Sequence, residues 1–379
     1  CYELKSSVMD EVTEVMTLPR FDNVVDNKAG LLDLGDEVRL QLRSYVNCIA
    51  SLYREVPFHN FEHASHVSMS ASKLLKRIIV PESVNYQKDS RTRKGAKEAA
   101  QEVERAIHDC TFGISSDPLM QLSIIFATLI HDVDHTGVPN KHLVRLNSVL
   151  ARRFGGKCVA EQHSVSLAWN ILMDDKFDAL RACIYESPEE GARFRQLVVN
   201  AVIATDIADK ELQTLRKNRW SKAFQDKENM SEIEDLSMAD IDRKATVVFE
   251  HIIQASDVAH TMQHWKVFQR WNEQLFDEMY LAYVSGHSDE NPVPGWYNGE
   301  LGFFDFYIIP LARKLEKCGI FGVSSDEYLN YALENRSEWE VKGEEIVRRM
   351  HDKAKQMYTP ELIAWINTSG DGDVVEDFC

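Results

Sequence analysis

Apolar residues recur along the chain at intervals of three and four positions, a spacing that places them on one face of an α-helix. Stripes of this kind run over Val38–Tyr53, Val67–Ile78 and Leu122–Ile130, and Val248–Ala255 leads in the same way into Asp257. The alternating pattern typical of half-buried strands does not occur in the sequence. The pattern therefore predicts an all-α fold, a compact multi-helix bundle.

The helical pattern continues along the chain without an internal repeat or a shift in composition, so residues 1–369 are predicted to form one domain. The acidic tail 370–379 is expected to be disordered. Asp36 is a candidate N-cap for the first long helix. The segment Gly286–Gly299 is rich in Gly, Pro and Asn and is predicted to be a loop.

Composition restricts the partners. The formal charge of −17 argues against a nucleic-acid polymer, because binding a polyanion requires an excess of Lys and Arg. A small anionic substrate remains compatible if a metal ion supplies local positive charge. The seven dispersed cysteines indicate reduced thiols and an intracellular, cytoplasmic location. The apolar stretch Leu119–Ile130 is too short to cross a bilayer, so no membrane contact is expected.

The chain begins at Cys1 without a methionine, so it is expected to be a fragment of a longer protein. A regulatory domain or an anchor outside the fragment is compatible with this expectation, and tethering of the full-length protein to a membrane stays open.

Histidines and acidic residues gather next to the apolar stripes. In the segment 59–63 two histidines are four residues apart, so both can project from one helix face. The run 131–135, His-Asp-Val-Asp-His, directly follows a long apolar stretch, where charge is costly unless it is paired or metal-bound. Segments 161–163 and 255–257 add further candidates. Imidazole with carboxylate suits a zinc-like ion, and a carboxylate can bridge to a harder ion such as magnesium.

These strings resemble the class I cyclic nucleotide phosphodiesterases, within the broad group of HD-type metal-dependent phosphohydrolases. The similarity covers roughly residues 10 to 350. Five motifs occur in the family's order: Phe58-His59-Asn60-x-x-His63-Ala64, His131-Asp132-x-Asp134-His135-x-Gly137, Ala204-Thr205-Asp206, Ala255-Ser256-Asp257 and Gly302-Phe303-Phe304-Asp305.

The resemblance implies a catalytic domain with a two-metal site at the base of a deep pocket. It implies hydrolysis of a 3′,5′-cyclic nucleotide to the 5′-monophosphate by a hydroxide shared between the ions. Two divalent ions make such a hydroxide available at neutral pH and offset charge on the phosphoryl oxygens. The tighter ion, expected to be Zn²⁺, would bind His63, His131, Asp132 and Asp257, and Asp132 would bridge to a second ion, Mg²⁺ or Mn²⁺.

Other residues receive roles around this centre from the same resemblance. His59 is expected to be the general acid that protonates the departing 3′ oxygen, a role that suits an imidazole. His135, Glu161, Thr205 and Asp206 would orient metal-bound water. Asp134 is left out of the expected site.

The base pocket is where the sequence departs from the family. Phe303 matches the phenylalanine that stacks on the purine, and Leu275 falls at the opposite apolar wall. His260 occupies a position near the nucleotide. Glu300, however, replaces a glutamine whose amide can both donate and accept. An ionised carboxylate only accepts, which suits the N1–H and 2-amino group of guanine, so the sequence favours cyclic GMP over cyclic AMP; a protonated Glu300 would remove that preference.

Two alternative functions stay open from the sequence. Another HD-type phosphohydrolase acting on nucleotides would share the metal ligands but lack the His59 acid and the Gly302-Phe303 clamp. A non-catalytic cyclic nucleotide sensor would keep the fold without the chemistry. The nature of the released product distinguishes them.

Overall fold

The computed structural model describes residues 7–18, 33–78, 93–225, 237–321 and 326–369. Across these ranges the ordered elements are helical, and none of the described residues forms a β-strand, so the all-α prediction is confirmed. The α-helices are α1 Gly35–Leu52, α2 Phe61–Lys76, α3 Arg93–Cys110, α4 Pro118–Ile130, α5 Asn140–Arg145, α6 Val149–Arg153, α7 Val159–Leu172, α8 Asp178–Ile184, α9 Pro188–Ile203, α10 Lys210–Trp220, α11 Met238–Asp257, α12 Trp265–Val284, α13 Trp296–Phe303, α14 Ile309–Cys318, α15 Asp326–Met357 and α16 Pro360–Ser369.

Short 3₁₀ turns connect several of these helices, and two π-helical turns interrupt the α-helical pattern. The π turn Phe304–Ile308 joins α13 directly to α14. The 3₁₀ turn Ala259–Met262 follows α11 and leads toward α12. Both turns therefore lie where the chain leaves a helix whose residues the sequence assigns to the site.

Helix α4 is the centre of the bundle. Asp117 caps its N-terminus by accepting a hydrogen bond from the backbone N–H of Met120, and Pro118 fills the first helical turn. The helix packs against α2 and α9, and α11 packs against α2, α4 and α14. One apolar cluster runs from Val8 to Ala354, so the terminal segments of the described chain share the same core.

Three details differ from the sequence-based predictions. Asp36 lies in the first turn of α1, and the N-cap position belongs to Leu34, which makes no side-chain cap. Leu122, assigned to the buried stripe of α4, is 40% exposed, because the opposite side of the helix with Met120 and Ile124 is the one fully buried. The predicted loop Gly286–Gly299 ends early, since α13 already begins at Trp296.

No helix among the described residues is long and apolar enough to cross a membrane. No disulfide links the cysteines in the part of the chain that the structure describes.

Two hydrogen bonds join helix α15 to helix α13. The indole N–H of Trp339 donates to the Tyr297 carbonyl at 3.1 Å, and the Tyr297 hydroxyl donates to the Glu340 carbonyl at 3.0 Å. Gly343 leaves room for this packing, because a β-carbon there would lie 2.8 Å from ring atoms of both aromatic residues. The orientation of α13, which carries Glu300, thus depends on a glycine one helix away.

Gly343→Ala is expected to destabilise the protein by about 1–3 kcal/mol, since overpacking must displace Trp339 or Tyr297. Gly299→Ala is the matched control: a β-carbon there meets nothing within 4 Å, so removing a helical glycine should stabilise by up to about 1 kcal/mol. Urea unfolding of both variants measures the difference. Equal urea midpoints for the two variants would show that Trp339 and Tyr297 make room for the added methyl group without loss of stability.

Candidate active site

Side chains from three helix ends meet at one point. His63 lies in the first turn of α2, His131 and Asp132 follow the last residue of α4, and Asp257 is the last residue of α11. His63 Nε2 is 3.1 Å from Asp257 Oδ1 and 3.7 Å from Asp132 Oδ2. His131 Nε2 is 3.0 Å from Asp132 Oδ2 and 3.4 Å from Asp257 Oδ1. These four residues are called the His/Asp cluster below.

Local structure orients the first residue of the His/Asp cluster. Asn60, in an extended conformation, caps α2 by accepting hydrogen bonds from the backbone N–H groups of Glu62 and His63. Its amide nitrogen in turn donates to the carbonyls of Val56 and Pro57 at 2.9 and 3.1 Å. The cap thereby fixes where the helix begins and so which way His63 projects.

The cluster fits a divalent cation. His131 Nδ1 lies 3.0 Å from the Thr128 carbonyl, so Nε2 is the ring nitrogen that faces the carboxylates and could bind an ion. His131 Nε2 is buried yet makes no acceptable hydrogen bond, even with Asp132 Oδ2 so near. Two imidazole nitrogens facing two carboxylates are the mixed N/O donor set that zinc-like ions take.

The charges of the cluster depend on one another. Burial raises the pKa of Asp132, but the nearby histidines outweigh it and hold this pKa well below its usual value. Burial likewise works against ionised Asp257, whose pKa is nonetheless lowered by its contacts with His131 and His63. Both carboxylates are therefore ionised at neutral pH. Their side chains are 13% and 19% exposed, so the cluster opens to solvent on its acidic side.

His59 is held by an acidic residue that the sequence analysis missed. Glu278, in the middle of α12 and only 1% exposed, accepts a hydrogen bond from His59 Nδ1. Its second oxygen accepts from the backbone N–H groups of Phe58 and His59 at 2.9 and 3.0 Å. The available signal was an acidic residue within the apolar stripe of α12, beside Leu275 and Met279.

This contact sets the protonation of His59. Burial alone lowers the pKa of His59, but the Glu278 carboxylate outweighs it and raises the pKa to about 9. The His135 ring packs on the His59 ring at a centroid distance of 3.9 Å. Burial and the neighbouring charged His59 lower the pKa of His135 to about 4, and His135 Nδ1 accepts from the Gly137 N–H at 3.1 Å. One imidazole of this stacked pair is thus charged and the other is neutral.

A second acidic group lies beside the cluster. The Asn140 amide donates to Glu161 at 2.9 Å and reaches Asp206 at 3.4 Å. Burial and the Asp206 charge raise the pKa of Glu161 to about 7. The Thr205 hydroxyl donates to the Val202 carbonyl at 2.8 Å. The structure thus joins Glu161 and Asp206 through Asn140, which the sequence analysis did not single out.

Asp134 lies apart from the cluster despite its position in the His-Asp-Val-Asp-His run. Its backbone has a positive φ of 61°, which lies in the left-handed region and is uncommon for a residue other than glycine. Its two oxygens contact Arg54 Nε at 2.6 Å and His163 Nε2 at 2.7 Å. The structure therefore places Asp134 in an ion pair with Arg54 and in contact with His163.

The residues expected to hold the base lie on two facing helices. Glu300 and Phe303 are one turn apart on α13, and Asn272 and Leu275 are one turn apart on α12. Burial raises the pKa of the Glu300 carboxyl group to about 8. Phe303, Leu275 and Glu300 are each partly exposed, as a ligand contact requires.

His260 differs from these residues in its surroundings. It is 6% exposed and packs against Phe58 and Trp271, with ring centroids 5.7 and 6.2 Å away. Burial lowers its pKa to about 3, so this imidazole is neutral. The structure places His260 in an aromatic cluster beneath the site.

An all-helical domain with a His/Asp cluster of this composition is typical of metal-dependent helical phosphohydrolases. The profile of the family described as 3'5'-cyclic nucleotide phosphodiesterase matches residues 58–320 of this chain. The chain belongs to this family, so the prediction of family and enzyme class is confirmed.

Individual relatives carry names with different substrates. The "Probable 3',5'-cyclic-AMP phosphodiesterase pde-4" of Caenorhabditis elegans is 24% identical over 71% of this chain and 35% of its own length. The "Dual specificity calcium/calmodulin-dependent 3',5'-cyclic nucleotide phosphodiesterase 1B" of Mus musculus is 28% identical over 42% of this chain and 26% of its own. The "cGMP-specific 3',5'-cGMP phosphodiesterase 3" of Dictyostelium discoideum is 20% identical over 85% and 61%. The chain thus spans from about a quarter to three fifths of the length of these relatives.

A solved structure supports the fold. The phosphodiesterase domain of Salpingoeca rosetta rhodopsin phosphodiesterase superposes with a TM-score of 0.57, at 19% identity and with 83% of each chain covered. At this identity the similarity concerns the helical architecture alone.

The His/Asp cluster predicts that replacing Asp132 lowers the metal content of the protein and that replacing Asp134 does not. Asp132→Asn should lose most of the bound zinc-like ion, since a carboxylate ligand becomes a neutral amide. Asp134→Asn is the matched control, because asparagine tolerates a positive φ and the residue lies outside the cluster. Elemental analysis of the purified proteins gives the metal-to-protein ratio. Equal metal content in both variants would contradict the assignment.

Proposed function

We propose that this chain is the catalytic domain of a 3′,5′-cyclic nucleotide phosphodiesterase that releases the nucleoside 5′-monophosphate. The observation that carries this proposal is the meeting of His63, His131, Asp132 and Asp257 beside the protonated pair of His59 and Glu278. A metal-ligand set and a proton donor are the two components that opening a cyclic phosphodiester requires. The domain is proposed to span residues 1–369; the acidic tail 370–379 lies outside the described residues.

We assign the His/Asp cluster to Zn²⁺ and Asp132 to the bridge toward a second ion, Mg²⁺ or Mn²⁺. Bound ions of this kind activate water at neutral pH and stabilise negative charge on the phosphoryl oxygens. The mixed imidazole and carboxylate donors support the assignment of the tighter site. Glu161 and Asp206, joined by Asn140, would accept hydrogen bonds from ordered water there, with His135 and Thr205 beside them.

His59 supplies the proton in the bond-breaking step. Because Glu278 occupies Nδ1, the N–H on Nε2 is the one free to donate. As the water oxygen bonds to phosphorus, the bond from phosphorus to the 3′ oxygen breaks, and that oxygen takes the proton from His59. The proton released by the attacking water then restores the imidazolium. Glu278 acts as a positioning residue, since its carboxylate contacts the His59 ring and the backbone N–H groups of Phe58 and His59.

The base is proposed to lie between Phe303 and Leu275, with Glu300 at its edge. Both purines are proposed substrates. The preference for cyclic GMP requires an ionised Glu300. Burial of this carboxyl group favours its neutral form near pH 7, so the preference stays a prediction. His260 supports the pocket indirectly, by packing on Phe58 and Trp271. The reduced cysteines support an intracellular location for the domain, which also stays a prediction.

Incubation with cyclic AMP and cyclic GMP should yield 5′-AMP and 5′-GMP without free phosphate or pyrophosphate, and a chelator should stop both reactions. His59→Gln should lower kcat by about 10²–10⁴-fold with bound metal retained, as expected for the loss of a general acid. Chromatography of the nucleotides measures the products. Release of free phosphate would favour another HD-type phosphohydrolase, and nucleotide binding without turnover would favour a sensor.

The contact between Glu278 and His59 predicts a shift in pH dependence. A general acid works below its pKa, so kcat/KM of the wild type should fall as pH rises through about 9. Glu278→Gln removes the negative charge that raises the His59 pKa, so this fall should move to lower pH, and the loss of activity should be larger at high pH than at low pH. Glu273→Gln is the control, since this residue also lies on α12 but pairs with Lys353 at the surface. An unshifted profile in Glu278→Gln would remove Glu278 from the mechanism.

A further inference from the structure

Three further side chains that can bind a metal ion meet beside the His/Asp cluster. One donor atom from each of His59, His135 and Glu278 lies within 4.8 Å of the other two. His59 Nδ1 donates a hydrogen bond to a Glu278 oxygen, and the His135 ring packs on the His59 ring at a centroid distance of 3.9 Å. These three residues are called the His/Glu group below. The His/Glu group shares no residue with the His/Asp cluster.

The His/Glu group has the donor set of a zinc site. Two imidazoles and one carboxylate, with a water molecule in the fourth position, bind zinc in other hydrolases. His135 Nδ1 has a lone pair, because it accepts a hydrogen bond from the Gly137 N–H at 3.1 Å. The Glu278 carboxylate is fixed in place by the backbone N–H groups of Phe58 and His59, at 2.9 and 3.0 Å. The donors are therefore held close together before any ion binds.

The His/Glu group is accessible from the active site. The His59 side chain is 22% exposed, whereas the Glu278 side chain is 1% exposed, so an ion would enter past His59. The ring centroids of His59 and His63 are 6.1 Å apart. Divalent ions in the two sites would therefore repel each other, and the His/Glu group should bind its ion more weakly than the His/Asp cluster does.

We propose that the His/Glu group is an inhibitory site for a divalent ion of the zinc class. The ion takes the place of the hydrogen between His59 and Glu278, and that proton is released to solvent. A metal-bound imidazole keeps at most the hydrogen of a neutral ring, which is a far weaker acid than an imidazolium. His59 then cannot protonate the departing 3′ oxygen. This inference rests on the proposed function and deepens it, since excess zinc would regulate the site whose chemistry requires zinc.

The kinetic test varies free Zn²⁺ at a constant, saturating concentration of Mg²⁺. Once zinc fills the His/Asp cluster, a further increase should lower kcat by about 10-fold or more, because the enzyme loses its general acid. Cyclic AMP and cyclic GMP should be affected alike, since both need a proton on the 3′ oxygen. Lowering free Zn²⁺ with a buffered chelator should restore the rate. Unchanged kcat over this range would overturn the inhibitory role.

The binding test measures the ion itself, by equilibrium dialysis against Zn²⁺ in excess Mg²⁺ followed by elemental analysis. The wild type should hold about one zinc ion per chain more than Glu278→Gln, because a neutral amide replaces the carboxylate donor. Glu273→Gln is the matched control and should bind as much zinc as the wild type, since Glu273 lies on the same helix but pairs with Lys353. Equal zinc content in all three proteins would overturn the site.

Circular dichroism shows whether Glu278→Gln keeps its helical structure. If it does not, His135→Gln removes another donor of the His/Glu group and takes its place in the comparison. Dialysis requires no turnover, so it distinguishes this inference from the proposed function. If the wild type hydrolyses neither nucleotide but still binds the zinc ion that Glu278→Gln loses, the proposed function fails and the metal site stands. If both nucleotides are hydrolysed and the zinc contents are equal, only the metal site fails.

Discussion

The structure depends on one electrostatic constraint: two ionised aspartates face each other across two buried imidazoles. Asp132 and Asp257 both remain charged despite burial, because His63 and His131 lie within about 4 Å of their oxygens. This arrangement costs free energy unless positive charge enters it, and a divalent cation is the group that the donor set fits. The helix ends that carry these residues therefore hold the proposed active site.

The residues around the His/Asp cluster differ in their protonation states. Glu278 keeps His59 protonated, while the stacked His135 is neutral, so neighbouring imidazoles differ by one charge. On the other side, Glu161 and Asp206 share the Asn140 amide. Burial disfavours the charged form of each of these groups, and the partner of each group decides whether the charge is retained.

In the proposed base pocket, burial changes the protonation of Glu300. Burial raises the pKa of the Glu300 carboxyl group to about 8, so this group retains its proton near neutral pH. From the sequence alone, Glu300 in place of the family's glutamine was taken as an ionised carboxylate, and this predicted a preference for guanine. Its surroundings on α12 and α13 make it resemble, near neutral pH, the glutamine that it replaces.

The sequence by itself determined the helical class, the family and the set of cluster residues, because periodicity and the His-Asp motifs are local features of the chain. The tertiary structure decided what depends on distant neighbours: Glu278 on α12 is 219 positions from His59, and Trp296 on α13 donates a hydrogen bond to Asn272 on α12. It also placed His260 in an aromatic cluster and Asp134 in an ion pair. Protonation states follow from burial and from contacts between segments, and neither is encoded in the spacing of residues.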